Sequence, residues 1–141
     1  MTPYFAYGAN LDRVGMAQRC PRSRPRGTAR LEEHRFLIMD AGYATVVPAP
    51  GAVVHGVLWD LADEDIPALD RFEEVDAGLY RKVVLPVRLG EERLDALVYH
   101  GVRTVPGVPC PGYMEMVVSA AAGWDLPAAY CSELRGWLAA S

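Results

Sequence analysis

The sequence has little of what would direct a protein outside the cell or into a membrane. Cysteine is scarce, with three in 141 residues, and Cys20, Cys110 and Cys131 form no C-x-x-C pair. Such an odd, widely spaced set predicts neither a disulfide framework nor a zinc site. No segment approaches the roughly 20 consecutive apolar residues that cross a bilayer, and no basic segment followed by an apolar run begins the chain. We therefore expect a soluble, cytoplasmic protein without a membrane partner.

Excess positive charge is also missing. The net charge of −4 gives a polyanion no general electrostatic reason to bind, so we expect no nucleic-acid partner. An arginine-rich stretch is the local exception and can indicate a phosphate-binding patch. No aromatic residue interleaves these arginines to stack a base, so a solvated loop paired with Glu32, Glu33 or other carboxylates is the alternative. The stretch contains Arg19, Arg22, Arg24, Arg26 and Arg30.

Aliphatic and aromatic segments separated by Gly, Pro and Asp predict about six strands. The length, with half of the residues apolar, predicts a single domain over residues 1–141. Val53–Leu61 is continuous enough to be buried on both faces, and Pro86 predicts an edge position or a bulge. The predicted strands are Pro3–Tyr7, Ala29–Met39, Tyr43–Val47, Val53–Leu61, Leu79–Leu89 and Arg93–His100.

Helical spacing of apolar residues predicts four short helices. Leu11–Arg19 has Asp12 as its N-cap, and Ala62–Glu74 has Asp63 as a candidate cap. Two further helices, around residues 114–121 and 130–138, close the chain. Because strands and helices do not alternate regularly, we expect an α+β fold with a curved, mainly antiparallel sheet.

The turn after the first strand is a candidate anion-binding loop. Tyr7, Gly8, Ala9, Asn10 and Leu11 lie between a strand and a helix, where several backbone N–H groups can converge on one anion. The alternative is structural: the glycine turns the chain and the asparagine caps the turn.

Two glutamates at the end of the second predicted helical segment are candidates for acid/base chemistry. A carboxylate there opposes the helix dipole, and contact with apolar side chains would raise its pKa further towards the range useful in catalysis. The alternative is that Glu73 and Glu74 are ordinary surface residues. The histidines His34, His55 and His100 show no metal-ligand spacing, and no local feature pairs one of them with a cysteine as a nucleophilic dyad.

Several segments together resemble one enzyme family. YFAYGANL, residues 4–11, is similar to the YFAYGSNL opening of γ-glutamylcyclotransferases. The resemblance implies a β-barrel-like α+β fold and cyclisation of a γ-glutamyl amide, which releases 5-oxoproline and a free amine. It implies neither a metal nor a cofactor. Similarity continues through GTARLEEHRFLI, ATVVPAPGAVVHGVLWDL, LDRFEEVDAGLY and PGYMEMVVSAAAGWDLP.

The same resemblance assigns roles to individual positions. The loop from Tyr7 to Leu11 would offer backbone amides to the substrate, and LDRFEEV matches the family's LDxxEGV segment, which makes Glu73 the catalytic residue. Tyr80 matches the tyrosine of a GxY segment, and Tyr113 matches a tyrosine that closes the substrate cavity.

Two departures from the family pattern affect these expectations. Ala9 replaces the serine of YGSNL, which removes a hydroxyl, and Glu74 replaces the glycine after the catalytic glutamate, which changes the demands on the backbone. Relatives specific for glutathione have an FGYGSL-like opening, so we expect γ-glutamyl amino acids or amides as substrates.

The remaining alternatives concern the leaving group and the activity itself. One is deprotection of a γ-glutamyl amine or of a γ-glutamylated biosynthetic intermediate. Another is a binding module without turnover. The apolar C-terminal helix packs either internally or against a second copy, so a homodimer stays open.

Overall fold

The computed structural model describes residues 1–138 and has five strands, four α-helices and two short 3-10 turns. The turns lie at Ala9–Leu11 and Asp63–Asp65. The strands are β1 (Thr2–Ala6), β2 (Arg24–Ile38), β3 (Ala44–Leu61), β4 (Tyr80–Leu89) and β5 (Glu92–Gly101). The helices are α1 (Arg13–Arg19), α2 (Ile66–Phe72), α3 (Tyr113–Gly123) and α4 (Ala128–Gly136). These four helices are all too short to cross a membrane.

The strands close into a barrel in the order β1-β3-β2-β4-β5. Neighbouring strands are antiparallel except β1 and β5, which meet in parallel at Tyr4 and Leu97 and complete the circle. The expected α+β fold with a barrel-like, mainly antiparallel sheet is therefore confirmed. Because β1 and β5 run in the same direction, both end at the same mouth of the barrel. The cavity described below opens at this mouth.

The strand count differs from the sequence-based expectation because two predicted strands are one. Tyr43–Val47 and Val53–Leu61 belong to the continuous strand β3, which runs through the proline-containing segment 48–51. Pairing with β2 is interrupted there: Glu32 pairs with Val53 and His34 with Pro48. Glu33 bulges out with φ +61° and accepts the Gly51 N–H at 3.0 Å. The prolines therefore interrupt the pairing and do not end the strand.

The arginine-rich stretch is also placed differently from the expected loop. Strand β2 begins at Arg24, five residues before its predicted start, because Arg24 and Pro25 pair with the far end of β3. The guanidinium of Arg26 lies 3.7 Å from Asp60 of β3 and 4.0 Å from Glu92 of β5, so carboxylates of two other strands balance its charge.

One helix cap is confirmed and one is wrong. Asp12 is the N-cap of α1, and its carboxylate accepts the Gly15 N–H at 3.2 Å. Asp63 caps nothing, because the segment begins as a 3-10 turn that turns Asp65 inwards instead. Buried Asp65 accepts the Ser23 hydroxyl at 2.7 Å and a backbone N–H of the same loop at 3.0 Å.

The hairpin of β4 and β5 and the two C-terminal helices agree with the sequence. Pro86 pairs with Asp95 on β5, whereas β4 is bridged to β2 at Arg88, so the proline breaks no ladder on that side. Tyr130 and Leu134 of α4 are buried in the core of the same chain. The apolar face of the last helix therefore packs internally.

Candidate active site

A cavity of about 220 Å³ opens at the mouth of the barrel where β1 and β5 end. Six of the seven tyrosines of the chain line it, although they come from separate parts of the sequence. Its polar groups are phenols, backbone amides, one asparagine and two glutamates. The lining residues are Tyr4, Tyr7, Gly8, Ala9, Asn10, Tyr43, Ala44, Phe72, Glu73, Glu74, Leu79, Tyr80, Tyr99, Tyr113 and Met116.

The loop after β1 forms one wall of the cavity. A Cβ added to Gly8 would lie 2.8 Å from the hydroxyl oxygen of Tyr113, so a side chain at this position would displace the tyrosine. That oxygen accepts the Ala44 N–H at 3.2 Å, and the Ala9 N–H also faces it. Backbone N–H groups from two segments thus converge on the same wall. This is the arrangement that binds an anionic oxygen.

Asn10 links the loop to the candidate acid/base residue. Its side chain is buried, and Nδ2 donates to the Tyr4 hydroxyl at 2.8 Å and to Oε1 of Glu73 at 3.1 Å. Its Oδ1 accepts two hydrogen bonds from Arg19, from Nε at 3.1 Å and from Nη2 at 2.5 Å. Both ends of the amide are therefore hydrogen-bonded.

The end of α2 places Glu73 over the cavity. Glu73 is the C-cap, and the N–H groups of Glu74 and Val75 bond back to the carbonyls of Arg71 and Asp70 at 3.1 Å each. This pair of bonds defines a Schellman motif, whose residue after the cap adopts the left-handed region and is usually glycine. Glu74 occupies it with φ +51°. Glu74 therefore replaces the family's glycine at a position whose left-handed backbone glycine would adopt at the lowest cost.

The surroundings of Glu73 change its protonation. Burial raises the pKa of its carboxyl from 4.5 to about 7, and the positive charge of Arg19 acts in the opposite direction. The last carbonyls of α2 add to the preference for the protonated form. At neutral pH the residue therefore exchanges a proton readily, as a general base and acid must.

The phenols of the wall stay protonated around it. Burial is the largest cause and raises the pKa of each of these hydroxyls above the ordinary value. Asp70 adds to the rise at Tyr99, and Glu73 or neighbouring phenols add to it at the others. They act as neutral hydrogen-bonding groups and leave Glu73 as the group that titrates near pH 7. They are Tyr4, Tyr7, Tyr80, Tyr99 and Tyr113.

Most wall hydroxyls are occupied by the fold. Tyr7 donates to the Tyr99 carbonyl at 2.5 Å, and Tyr80 donates to the Ala44 carbonyl. Tyr99 donates to Oδ1 of Asp70 at 2.6 Å. Tyr4 and Tyr113 accept hydrogen bonds from Asn10 and Ala44, and their own O–H groups have no acceptor among residues 1–138. Tyr4 and Tyr113 are thus the phenols with a hydrogen to donate to a ligand.

Of the residues singled out from the sequence, the fold brings together all but one. Glu73, Tyr80, Tyr113 and residues 7–10 line the cavity, whereas Leu11 does not. The 3-10 turn at Ala9–Leu11 turns the leucine into the core, where its side chain is fully buried. Its N–H bonds to the Gly8 carbonyl at 3.0 Å, and its carbonyl accepts Nε1 of Trp124 at 2.7 Å.

Several residues of the site were not singled out from the sequence, although Tyr4 opens the YFAYGANL segment that resembles the family. Tyr4 and Tyr99 come together because β1 and β5 close the barrel, with ring centroids 5.6 Å apart. Tyr43 and Tyr113 meet across the mouth with their ring centroids 5.3 Å apart. Arg19 belongs to the arginine-rich stretch, where no local pattern separates it from its neighbours.

Comparison with known proteins supports one family. The sequence model of the AIG2-like family matches residues 53–134. A γ-glutamylcyclotransferase of Bos taurus is 27% identical over 143 residues, which cover 94% of this chain and 76% of that protein. Its counterpart from Homo sapiens is 27% identical over 145 residues with the same coverage. A solved structure of a γ-glutamyl cyclotransferase superposes with a TM-score of 0.88 at 26% identity and covers 95% of this chain and 86% of that one.

Proposed function

The chain belongs to the AIG2-like family, and from that premise we propose that it is a γ-glutamylcyclotransferase in which Glu73 is the general base and acid. The observation that carries the proposal is the placement of Glu73: a carboxyl with a pKa of about 7, hydrogen-bonded to Asn10 in a tyrosine-lined cavity. The similar protein of Bos taurus and the similar solved structure are both named γ-glutamylcyclotransferases, which supports the same activity.

The reaction begins with a proton transfer. The α-ammonium group of a γ-glutamyl substrate has no lone pair for attack, so it first gives a proton to ionised Glu73. The free amine then attacks the γ-carbonyl carbon of the same molecule and closes a five-membered ring. Because the nucleophile and the electrophile belong to one molecule, the cavity mainly has to hold the substrate folded. No covalent bond to the protein is required.

The second half of the reaction places and removes negative charge. As the carbon–nitrogen bond of the ring forms, the carbonyl oxygen becomes an oxyanion. In our proposal the O–H of Tyr113, whose oxygen accepts the N–H groups of Ala9 and Ala44, stabilises it together with the N–H groups of Gly8 and Asn10. When the oxyanion collapses, the bond to the leaving nitrogen breaks, and Glu73 returns its proton to that nitrogen. The ring nitrogen still carries two hydrogens and gives one of them to Glu73, which passes it to the released amine. The products are 5-oxoproline and an ammonium ion.

The charge of the wall favours leaving groups without a carboxylate. Glu74 lines the cavity and is exposed, and the cavity lining contains no lysine or arginine. A carboxylate on the leaving group would meet Glu74 with nothing there to neutralise it, whereas an amine would not. This observation favours γ-glutamyl amines as a second candidate substrate class beside γ-glutamyl amino acids.

The test is release of 5-oxoproline, measured by mass spectrometry, from γ-glutamyl amines, γ-glutamyl amino acids and glutathione. We expect the wild type to form product, and Glu73→Gln to lose at least a factor of about 10² in kcat/KM. Glu64→Gln is the matched control, since Glu64 is an exposed glutamate at the other end of the same helical segment, and it should keep full activity. Binding of these ligands without product would support a binding module instead. Wild-type activity in Glu73→Gln would refute the mechanism.

A further inference from the structure

Arg19 makes two contacts that both lead to Glu73. Its guanidinium carbon lies 3.7 Å above the ring of Phe72, the residue that directly precedes Glu73. Its Nε and Nη2 donate to Oδ1 of Asn10, whose Nδ2 donates to Glu73. Arg19 does not line the cavity itself. It therefore lies behind the site and contacts both the residue before the base and the amide that bonds to the base.

The hydrogen bonds from Arg19 determine which way the amide of Asn10 points. An arginine side chain only donates hydrogen bonds, so it can pair with the oxygen of the amide but not with its NH2 group. Nδ2 is thereby directed to the Tyr4 hydroxyl and to Oε1 of Glu73. In the flipped orientation, the amide oxygen would face the carboxylate and repel it.

The charge of Arg19 is distinctive among the groups that face Glu73. The groups from β1, β4, β5 and α3 are phenols that stay neutral at pH 7, and Glu74 adds a negative charge beside the base. Asp70 lies behind Tyr99, where Lys82 at 3.1 Å pairs with it. Within residues 1–138, Arg19 is the cation that opposes the effect of burial on Glu73. The facing groups are Tyr4, Tyr7, Arg19, Glu74, Tyr80, Tyr99 and Tyr113.

We propose that Arg19 is a positioning residue for Glu73: through Asn10 it keeps an N–H directed at the carboxylate, and its charge favours the ionised form that accepts the substrate proton. This inference rests on the proposed function for its catalytic consequence. Its electrostatic consequence concerns Glu73 alone and is measurable without substrate.

The chain offers a matched control on the same helix. Arg13 of α1 also stacks on an aromatic ring, with its guanidinium carbon 3.3 Å from the centroid of Trp124, and it has no hydrogen bond to Asn10. Arg19→Met and Arg13→Met thus remove the same charge and the same kind of stacking contact. Only the first removes the link to Glu73.

The decisive readout is the titration of Glu73, followed by carboxyl ¹³C NMR in glutamate-labelled protein and assigned by the signal lost in Glu73→Gln. We expect Arg19→Met to raise the pKa of Glu73 by about one unit, because a cation close to the carboxylate is gone. Arg13→Met should leave the titration unchanged. Arg19→Lys should stay near the wild-type position, since the charge is retained. Arg19→Gln removes the charge but keeps an N–H that can donate to Asn10, so it should raise the pKa of Glu73 as Arg19→Met does and keeps the test decisive if the methionine variant folds poorly.

The kinetic readout separates positioning from binding. With a substrate that the wild type turns over, Arg19→Met should lower kcat roughly tenfold with little change in KM, and the acid limb of kcat/KM should move up with the titration. Arg19→Lys should recover the pH profile and only part of kcat, because one ammonium group does not replace two guanidinium N–H groups. If the wild type makes no 5-oxoproline, the proposed reaction fails, while a titration shift confined to Arg19→Met still supports the placement of Glu73 by Arg19. An unchanged titration of Glu73 in both Arg19→Met and Arg19→Gln would overturn the inference.

Discussion

The two helices beside the cavity, α1 and α2, have the same length of seven residues but treat their ends in opposite ways. Helix α1 begins with an aspartate that caps it and ends with Arg19, whose charge complements the helix dipole. Helix α2 ends at Phe72 and is followed by its C-cap Glu73 and by Glu74. Both carboxylates oppose the helix dipole. Glu73 is partly removed from water, and the backbone of Glu74 adopts the left-handed conformation.

The difference indicates which part of the fold serves stability and which serves chemistry. A sequence selected only for stability would put glycine after the cap of α2 and keep carboxylates away from its last turn. Departures of this kind concentrate at functional sites, where a strained or desolvated group is needed for the reaction. The end of α2 lowers stability and, in our proposal, supplies a carboxyl that exchanges protons near pH 7.

The largest effect on stability is expected when the charge of partly buried Glu73 is removed. Because the pKa of Glu73 is raised from 4.5 to about 7, the folded state binds the proton more tightly than the unfolded chain, and its contribution to stability falls as pH rises through this window. Glu73→Gln should therefore increase the free energy of unfolding at pH 8 by about 2 kcal/mol, with a ceiling of about 3 kcal/mol.

Urea denaturation at pH 8 and at pH 5 tests this prediction. At pH 5 the wild-type carboxyl is already largely protonated in the folded state, so the gain should shrink to about a quarter of its value at pH 8. Glu64→Gln should show no such pH dependence. Equal gains at both pH values would contradict the account of Glu73.

The cap of α1 should have a smaller effect of opposite sign. Asp12→Ala removes the acceptor of the Gly15 N–H and should lower the free energy of unfolding by about 1 kcal/mol. Asp63→Ala is the control, because Asp63 has a similar position before a helical segment but caps nothing. Its effect should stay within about 0.5 kcal/mol. Equal urea midpoints for Asp12→Ala and Asp63→Ala would contradict the conclusion that Asp12 is a cap and Asp63 is not.

The smallest expected effect concerns the strained residue after the cap of α2. The left-handed conformation of Glu74 costs about 1 kcal/mol relative to glycine, and the greater freedom of glycine in the unfolded chain offsets part of the gain. Glu74→Gly should therefore stabilise the protein by about 0.5 kcal/mol. Glu74→Ala keeps the strained backbone and should give no gain, so a calorimetric comparison of the two variants isolates the backbone contribution.

Local sequence signals predicted much of the fold correctly. The position of Asp12 before an amphipathic segment predicts that it caps α1. The hairpin of β4 and β5 turns at Gly90 and Glu91, which separate the two segments predicted as strands. Errors arose where long-range pairing overrides local preference. The proline-containing segment 48–51 remains inside β3 because β2 bulges opposite it, and β2 starts early because the end of β3 provides a partner.

The candidate site divides in a similar way. Glu73 and the loop after β1 were predicted because they lie in short motifs that resemble a family. The 3-10 turn placed Leu11 in the core although its motif is intact, since sequence does not specify the rotation of that turn. Tyr99 and Arg19 reach the site through barrel closure and through contacts between separate helices, for which a single sequence gives no local signal.

The central claim is that Glu73 exchanges the proton of the reaction, and the pH dependence of kcat/KM for 5-oxoproline release tests it most directly. The logarithm of kcat/KM should rise with unit slope at acid pH and level off near pH 7, where the carboxyl of free enzyme ionises. An acid limb near pH 4.5, the ordinary value for a glutamate, or no acid limb at all, would show that another group accepts the proton.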